Sequence, residues 1–181
     1  MTESDSALAP AARYRQAQQW LVAQPALRAA LTARLAALPA RLPAALRPIR
    51  PIRLEYTLRG CAAGRAGPEA IRLNPVLLQE NQAAFLDEVL PHEFAHCAVL
   101  QRVPGAPAHG AQWQRIMALL DVPARRCHGF DTRNARTRRL VRHPYRCGCG
   151  PLELTSIRHR RIQQGARYHC RRCGQALCPQ P

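Results

Sequence analysis

From Arg13 to Leu38, apolar residues recur at steps of three and four through Trp20, Leu21, Leu27, Leu31, Leu35 and Leu38. That is the period of an amphipathic helix. Pro25 interrupts the run, so two shorter helices also fit. Residues 1–12 carry no such pattern and are expected to fray. Pro39, Pro43, Pro48 and Pro51 then mark a stiff, arginine-studded connector. The alternation over Ile52–Leu58 predicts a strand. Gly60, Gly64, Gly67 and Pro68 read as a turn-rich stretch, and Ala70–Leu73 as a returning strand. Asn74-Pro75 ends that strand, with Asn74 placed to cap a helix. A helix is expected from Gln82 to Leu100 with a disturbance at Pro91, and another from Ala111 to Leu120, across a Pro/Gly loop at 103–110.

The pattern is α+β: helices around a small antiparallel sheet, followed by a small cysteine-rich β module. It divides into an N-terminal arm and helix at 1–51, a core at 52–130, a basic linker at 131–144 and the module at 145–178. The 181 residues are 47% hydrophobic, enough for a packed core. The longest apolar run, Ile116–Leu120, is far too short to cross a membrane. The start, Met1-Thr2-Glu3-Ser4-Asp5, is acidic with no apolar stretch behind it, so a cytoplasmic location is expected.

Charge changes the picture. The net is +16, and all 27 basic residues are arginine. Counted along the chain, residues 1–53 are net +6, residues 54–122 net −2 and residues 123–181 net +12. A field concentrated in the last third favours a polyanionic partner there.

His92-Glu93-Phe94-Ala95-His96 is an HExxH motif inside a helical pattern. Residues four apart share a helix face, so both imidazoles can point at one zinc ion. Glu93, beside the first of them, can take a proton from a water there. A catalytic zinc takes three protein ligands and keeps a position open. His109, His128, His143, His159 and His169 are candidates for the third, and position favours His109, across the loop that can turn the chain back. Cys97 and Cys127 read as small buried apolar residues.

Five of the eight cysteines crowd into the last 35 residues. Cys147-x-Cys149, then Cys170-x-x-Cys173-Gly174, suggests two knuckles closing a tetrahedral structural zinc site. His159 can replace one of the first pair, and Cys178 reads as a spare thiol. Arg158, Arg160, Arg161, Arg171 and Arg172 lie close to the knuckles and suit phosphate contacts, with Tyr168 an aromatic able to stack on an unpaired base. Tyr145 fits packing over the metal site.

The chain resembles the SprT family, which includes bacterial SprT proteins and the eukaryotic Spartan proteases. The residues that carry the resemblance are Tyr56-Thr57-x-Arg59-Gly60, Ile71–Leu78, Pro91-His92-Glu93-x-Ala95-His96, His109-Gly110-x-x-Trp113, Val122–Arg126 and Tyr145-Arg146-Cys147-x-Cys149. It extends over about residues 50–177. The resemblance implies a zincin-like helical domain with a small antiparallel sheet and a zinc ribbon behind it. It makes His92, His96 and His109 the ligands of a catalytic zinc and Glu93 the general base of peptide hydrolysis. Two zinc ions per chain follow, one catalytic and one structural. The Spartan relatives imply action on protein crosslinked to DNA, single-stranded or at junctions. The alternative is a nucleic-acid-binding zinc protein linked to transcription, with little or no proteolysis. Retention of Glu93 speaks for the enzyme.

Overall fold

The computed structural model describes residues 9–137 and 141–180. Most of the stretch expected to fray, and residues 138–140 of the expected basic linker, lie outside these. The chain forms two compact units, divided after Thr137.

In the first unit, α1 (Pro10–Val22) and α2 (Pro25–Ala37) each begin on a proline, whose missing N–H costs nothing at a helix start. Pro25 therefore starts a second helix. Both helices sink into the core: Tyr14, Ala17, Leu21, Leu31, Leu35 and Leu38 are buried in one cluster with Phe94, Leu77 and Trp113. Each buried leucine contributes roughly 1.5–3 kcal/mol, so residues 10–38 are part of the same body as the HExxH helix.

Strands β1 (Arg53–Glu55), β2 (Gly64–Ala66) and β3 (Ala70–Leu73) form a sheet of order β1-β3-β2. The expected antiparallel sheet is in fact mixed. β3 runs antiparallel to β2, with Arg65 opposite Arg72, but parallel to β1, with Leu54 opposite Ile71. The cause is β2 itself, which lies inside the stretch read as turns. β3 forms a tight hairpin with it, closed by Gly67 N–H donating to Ala70 O at 2.8 Å. That reversal leaves β3 aligned with β1.

Asn74 is completely buried. Its Oδ1 accepts from the N–H groups of Val76 (3.1 Å) and Leu77 (3.4 Å), capping α3 (Pro75–Glu80). Its Nδ2 donates to Gly60 O (2.8 Å) and Ala62 O (3.1 Å). The Tyr14 hydroxyl accepts from Gly60 N–H and donates to Ala135 O, both at 2.7 Å. One buried network thus joins α1, the segment leading into β2, and the end of the unit.

The helix expected at Gln82–Leu100 starts as α4 (Gln82–Ala84), widens over Phe85–Val89 and continues as α5 (Leu90–Arg102). Leu90 N–H reaches back five residues to Phe85 O, a π-type turn. A proline ring clashes with the carbonyl four residues before it, and widening the preceding turn relieves that clash. In the widened register Leu86 O faces residue 91, a proline with no N–H. Arg34 Nε of α2 supplies the donor instead, at 3.2 Å. α6 (Ala111–Leu119) follows the loop after α5.

The second unit is a hairpin of β4 (Arg142–Cys147) and β5 (Gly150–Thr155), with β6 (Cys178–Pro179) on the other side of β4. α7 (Ser156–Gln163) follows β5. Tyr145 and Leu154 are its buried hydrophobic residues among those described. None of the described helices is long and apolar enough to cross a membrane.

Candidate metal centres

α5 presents His92 and His96 one turn apart, and the loop after it returns His109 to the same point. His109 has φ +57°, in the left-handed region. Histidine tolerates that region better than most residues, at a cost of order 1 kcal/mol. The three Nε2 atoms form a near-equilateral triangle with sides of 3.2, 3.1 and 3.2 Å. Zinc–nitrogen bonds of about 2.0–2.1 Å in tetrahedral geometry need sides of about 3.3 Å. Three nitrogens at such corners cannot satisfy one another by well-aligned hydrogen bonds, whereas one cation uses all three lone pairs. The donor set fits zinc.

The electrostatics agree. Burial, with the neighbouring imidazoles adding to it, pushes His92 and His96 down to about 4. Burial and the Arg126 charge lower His109 as well. The three imidazoles are therefore neutral near pH 7. The Arg125 backbone works against this shift at His92.

Glu93 is 7% exposed, and burial pushes its carboxyl up to about 7 against a backbone hydrogen bond from Ala66 and the Arg65 charge. The carboxylate lies against bare Gly64: a Cβ there would come within 2.5 Å of Glu93 Cγ and 2.7 Å of Oε1. A carboxyl near neutrality can both take and return a proton. His92, Glu93, His96, His109 and Gly64 line one open cavity of about 850 Å³, walled by β2, α5, the loop to His109 and residues 123–132.

His128 also lines this cavity but is engaged elsewhere. Its Nδ1 accepts from Phe130 N–H at 3.2 Å, so Nε2 carries the proton and donates to Cys61 O at 2.8 Å. Cys97 is fully buried, but Cys127 is exposed at the cavity wall, because residues 122–132 run as irregular chain over the surface.

In the second unit, the thiols of Cys147, Cys149, Cys170 and Cys173 lie within 4.8 Å of one another. Tetrahedral zinc thiolates, with bonds of about 2.3 Å, sit about 3.8 Å apart, so this set too is compatible with zinc. Cys147 ends β4, where it pairs with Gly150, and Cys149 lies in the β4–β5 turn. The second sits on a knuckle closed by Gly174 N–H to Cys170 O at 2.9 Å. Backbone N–H groups of Cys173 and Arg172 push the Cys170 thiol down to about 6. His159 is not in the cluster: it stacks on His143 at 3.8 Å and meets the buried Tyr145 hydroxyl at 3.1 Å. Cys178 is likewise outside the cluster.

Arg158, Arg160 and Arg161 are exposed on α7, and Arg171 and Arg172 on the knuckle. The Tyr168 ring is not bare. Arg158 lies over it at 6.0 Å and Arg161 reaches its hydroxyl at 3.5 Å.

An α+β core carrying three convergent histidines and a buried glutamate, with a four-cysteine module after it, defines a candidate metalloenzyme with a second candidate metal site. Comparison with known proteins gives the family. The model of the SprT-like family matches residues 44–133. Protein SprT of Cronobacter sakazakii is 48% identical over 129 residues, covering 69% of this chain and 76% of that protein. Protein SprT of Erwinia tasmaniensis is 46% identical over 130 residues, covering 70% and 75%. Protein SprT of Serratia proteamaculans is 45% identical over 126 residues, covering 67% and 72%. The chain belongs to the SprT-like family. No solved structure matches it significantly.

Two parts of this site lay outside the sequence reading. Gly64 stood among turn glycines, with nothing to mark it as the seat of a carboxylate. Trp113 was legible as part of a motif, without a role.

Proposed function

We propose that the protein is a zinc-dependent metallopeptidase and that its basic second unit engages nucleic acid, so that it acts on protein bound or crosslinked to DNA. The observation that carries the peptidase is the convergence of three neutral imidazoles beside a glutamate of near-neutral pKa in one open cavity. A zinc ion in such a site supplies Lewis acidity and makes water a nucleophile near pH 7. His92, His96 and His109 would hold the metal through their convergent Nε2 atoms. Glu93 takes the proton of the attacking water on a carboxylate oxygen and returns it to the leaving amine. The absence of a side chain at Gly64 leaves that carboxylate its room beside the histidines.

The exposed arginines of α7 and the knuckle support the nucleic-acid partner, since guanidinium groups suit phosphate. Tyr168, already clasped by Arg158 and Arg161, supports phosphate contact more than base stacking.

The test is cleavage of a protein crosslinked to a DNA oligonucleotide, by zinc-loaded wild type and by Glu93→Gln. Cleavage by the wild type alone, faster than of the same protein without DNA, is expected. No cleavage by either, with tight DNA binding by both, would favour a nucleic-acid-binding zinc protein without proteolysis.

A further inference from the structure

Trp113, in the first turn of α6, is 1% exposed, and its ring lies against all three candidate ligands. The centroid distances are 4.8 Å to His92, 5.4 Å to His96 and 4.6 Å to His109. It stacks on His96 at 24° and meets the other two edge-on, at 65° and 86°. Its Nε1–H donates to the His92 carbonyl at 3.3 Å.

We propose, on the footing of the metal centre above, that Trp113 is a positioning residue. Its indole sets the planes of the three imidazoles before metal arrives, and its environment changes when the metal binds. Two features argue for this over ordinary core packing. A histidine free to rotate must lose that freedom on coordination, and here a single rigid surface limits all three rings. The bond to the His92 carbonyl also ties α6 to the first turn of α5. Because His109 precedes α6 by two residues, that bond links the position of the third ligand to the position of the first. Coordination makes an imidazole more electron-poor, so the stack of His96 on the indole face tightens in the loaded state. Trp113 thus favours the metal-bound form.

The test uses the full chain, reduced, with cobalt(II) as the metal and a competing chelator. His96→Ala comes first: it should lose one of two bound cobalt ions. If it keeps both, the metal centre itself is wrong, and the role of Trp113 falls with it. Given that loss, Trp113→Phe, which keeps a ring but drops the N–H, should weaken the histidine site about tenfold, and Trp113→Leu about 100-fold. Both should alter the visible spectrum of the histidine-bound cobalt, which reports ligand geometry. Unchanged affinity and spectrum in these variants would overturn the proposal, whatever happens to the melting temperature of the metal-free protein.

A second readout needs no change at Trp113. The chain has two tryptophans, so Trp20→Phe leaves Trp113 as the single indole. Its emission should change with the same midpoint as metal loading of the histidine site. An emission that ignores that loading would also overturn the proposal.

Discussion

The two candidate metal sites are built in opposite ways. The histidine site stands on a helix inside a core that buries Leu31, Leu77, Phe94 and Trp113, and its three nitrogens converge because packing holds their elements. The cysteine site stands on two turns of a small unit whose buried hydrophobics, among the described residues, are Tyr145 and Leu154. So small a core rarely sustains a fold alone, and metal commonly supplies the remainder. In the first unit the fold makes the site. In the second, a metal held at the site is expected to make the fold.

Metal removal is the sharpest way to break that contrast. A chelator strong enough to strip zinc should unfold residues 142–180, because structural zinc contributes on the order of 10 kcal/mol. Residues 9–137 should stay folded. Hydrogen exchange of the amides of β4 and β5, compared with those of α1 and α5, measures this. Persistent protection in β4 and β5 without metal, or their survival in Cys170→Ser, would erase the distinction.

Next in size is Gly64→Ala. The added Cβ collides with the Glu93 carboxyl, and misplacement of a reacting group by about 1 Å can cost on the order of 100-fold in rate. Peptidase activity should fall by about that much while the metal content stays at the wild-type level. A loss of metal together with activity would mean that Gly64 serves the site as a whole.

Glu93→Gln probes the same place through stability. Because the folded carboxyl holds its proton up to about pH 7, the metal-free protein loses stability as pH rises from the ordinary carboxylate range through 7. The full cost, about 3 kcal/mol, is present at pH 8. Metal-free Glu93→Gln should therefore melt higher than wild type at pH 8 and alike near pH 4. The burden from His92 and His96 has the opposite sign: it grows as pH falls from about 6.5 towards 4, and the two proteins share it. Equal melting at both pH values would deny that Glu93 is a buried, strained carboxylate.

The smallest effects lie away from both candidate metal sites. Tyr14→Phe removes the hydroxyl that joins Gly60 and Ala135 and should cost about 2 kcal/mol. Arg34→Met leaves Leu86 O without its donor and should cost about 1 kcal/mol. Denaturant midpoints measure both. Arg34→Met with no loss would show that water serves that carbonyl equally well.

The two HExxH histidines and the cysteine pairs were legible as candidate ligands because each pair depends on local spacing, and His109 stood out among the remaining histidines by its position across the loop. Four residues along a helix bring two imidazoles to one face, and a short knuckle aims two thiols at one point. Asn74 was legible as a cap for the same reason. The choice between Cys149 and His159 was not. It turns on Tyr145 and His143 of β4 occupying His159 of α7 instead, a contact between two separate elements.

β2 was illegible because Gly64-Arg65-Ala66 has no β-branched or aromatic residue to announce a strand. Its identity comes from pairing with β3, and that pairing makes the sheet mixed. The disturbance at Pro91 was visible, but its form was not, since the widened turn depends on where Arg34 and the core accept it.

The sequence by itself determined the candidate ligands and the candidate general base, consequences of residue type and short-range geometry. Tertiary structure decided that α1 and α2 belong to the core, that Gly64 seats Glu93, that Cys127 is exposed and that Trp113 lies beneath all three histidines. Those facts depend on close approach between segments tens of residues apart. Only packing density and the pairing of buried polar groups enforce such approach.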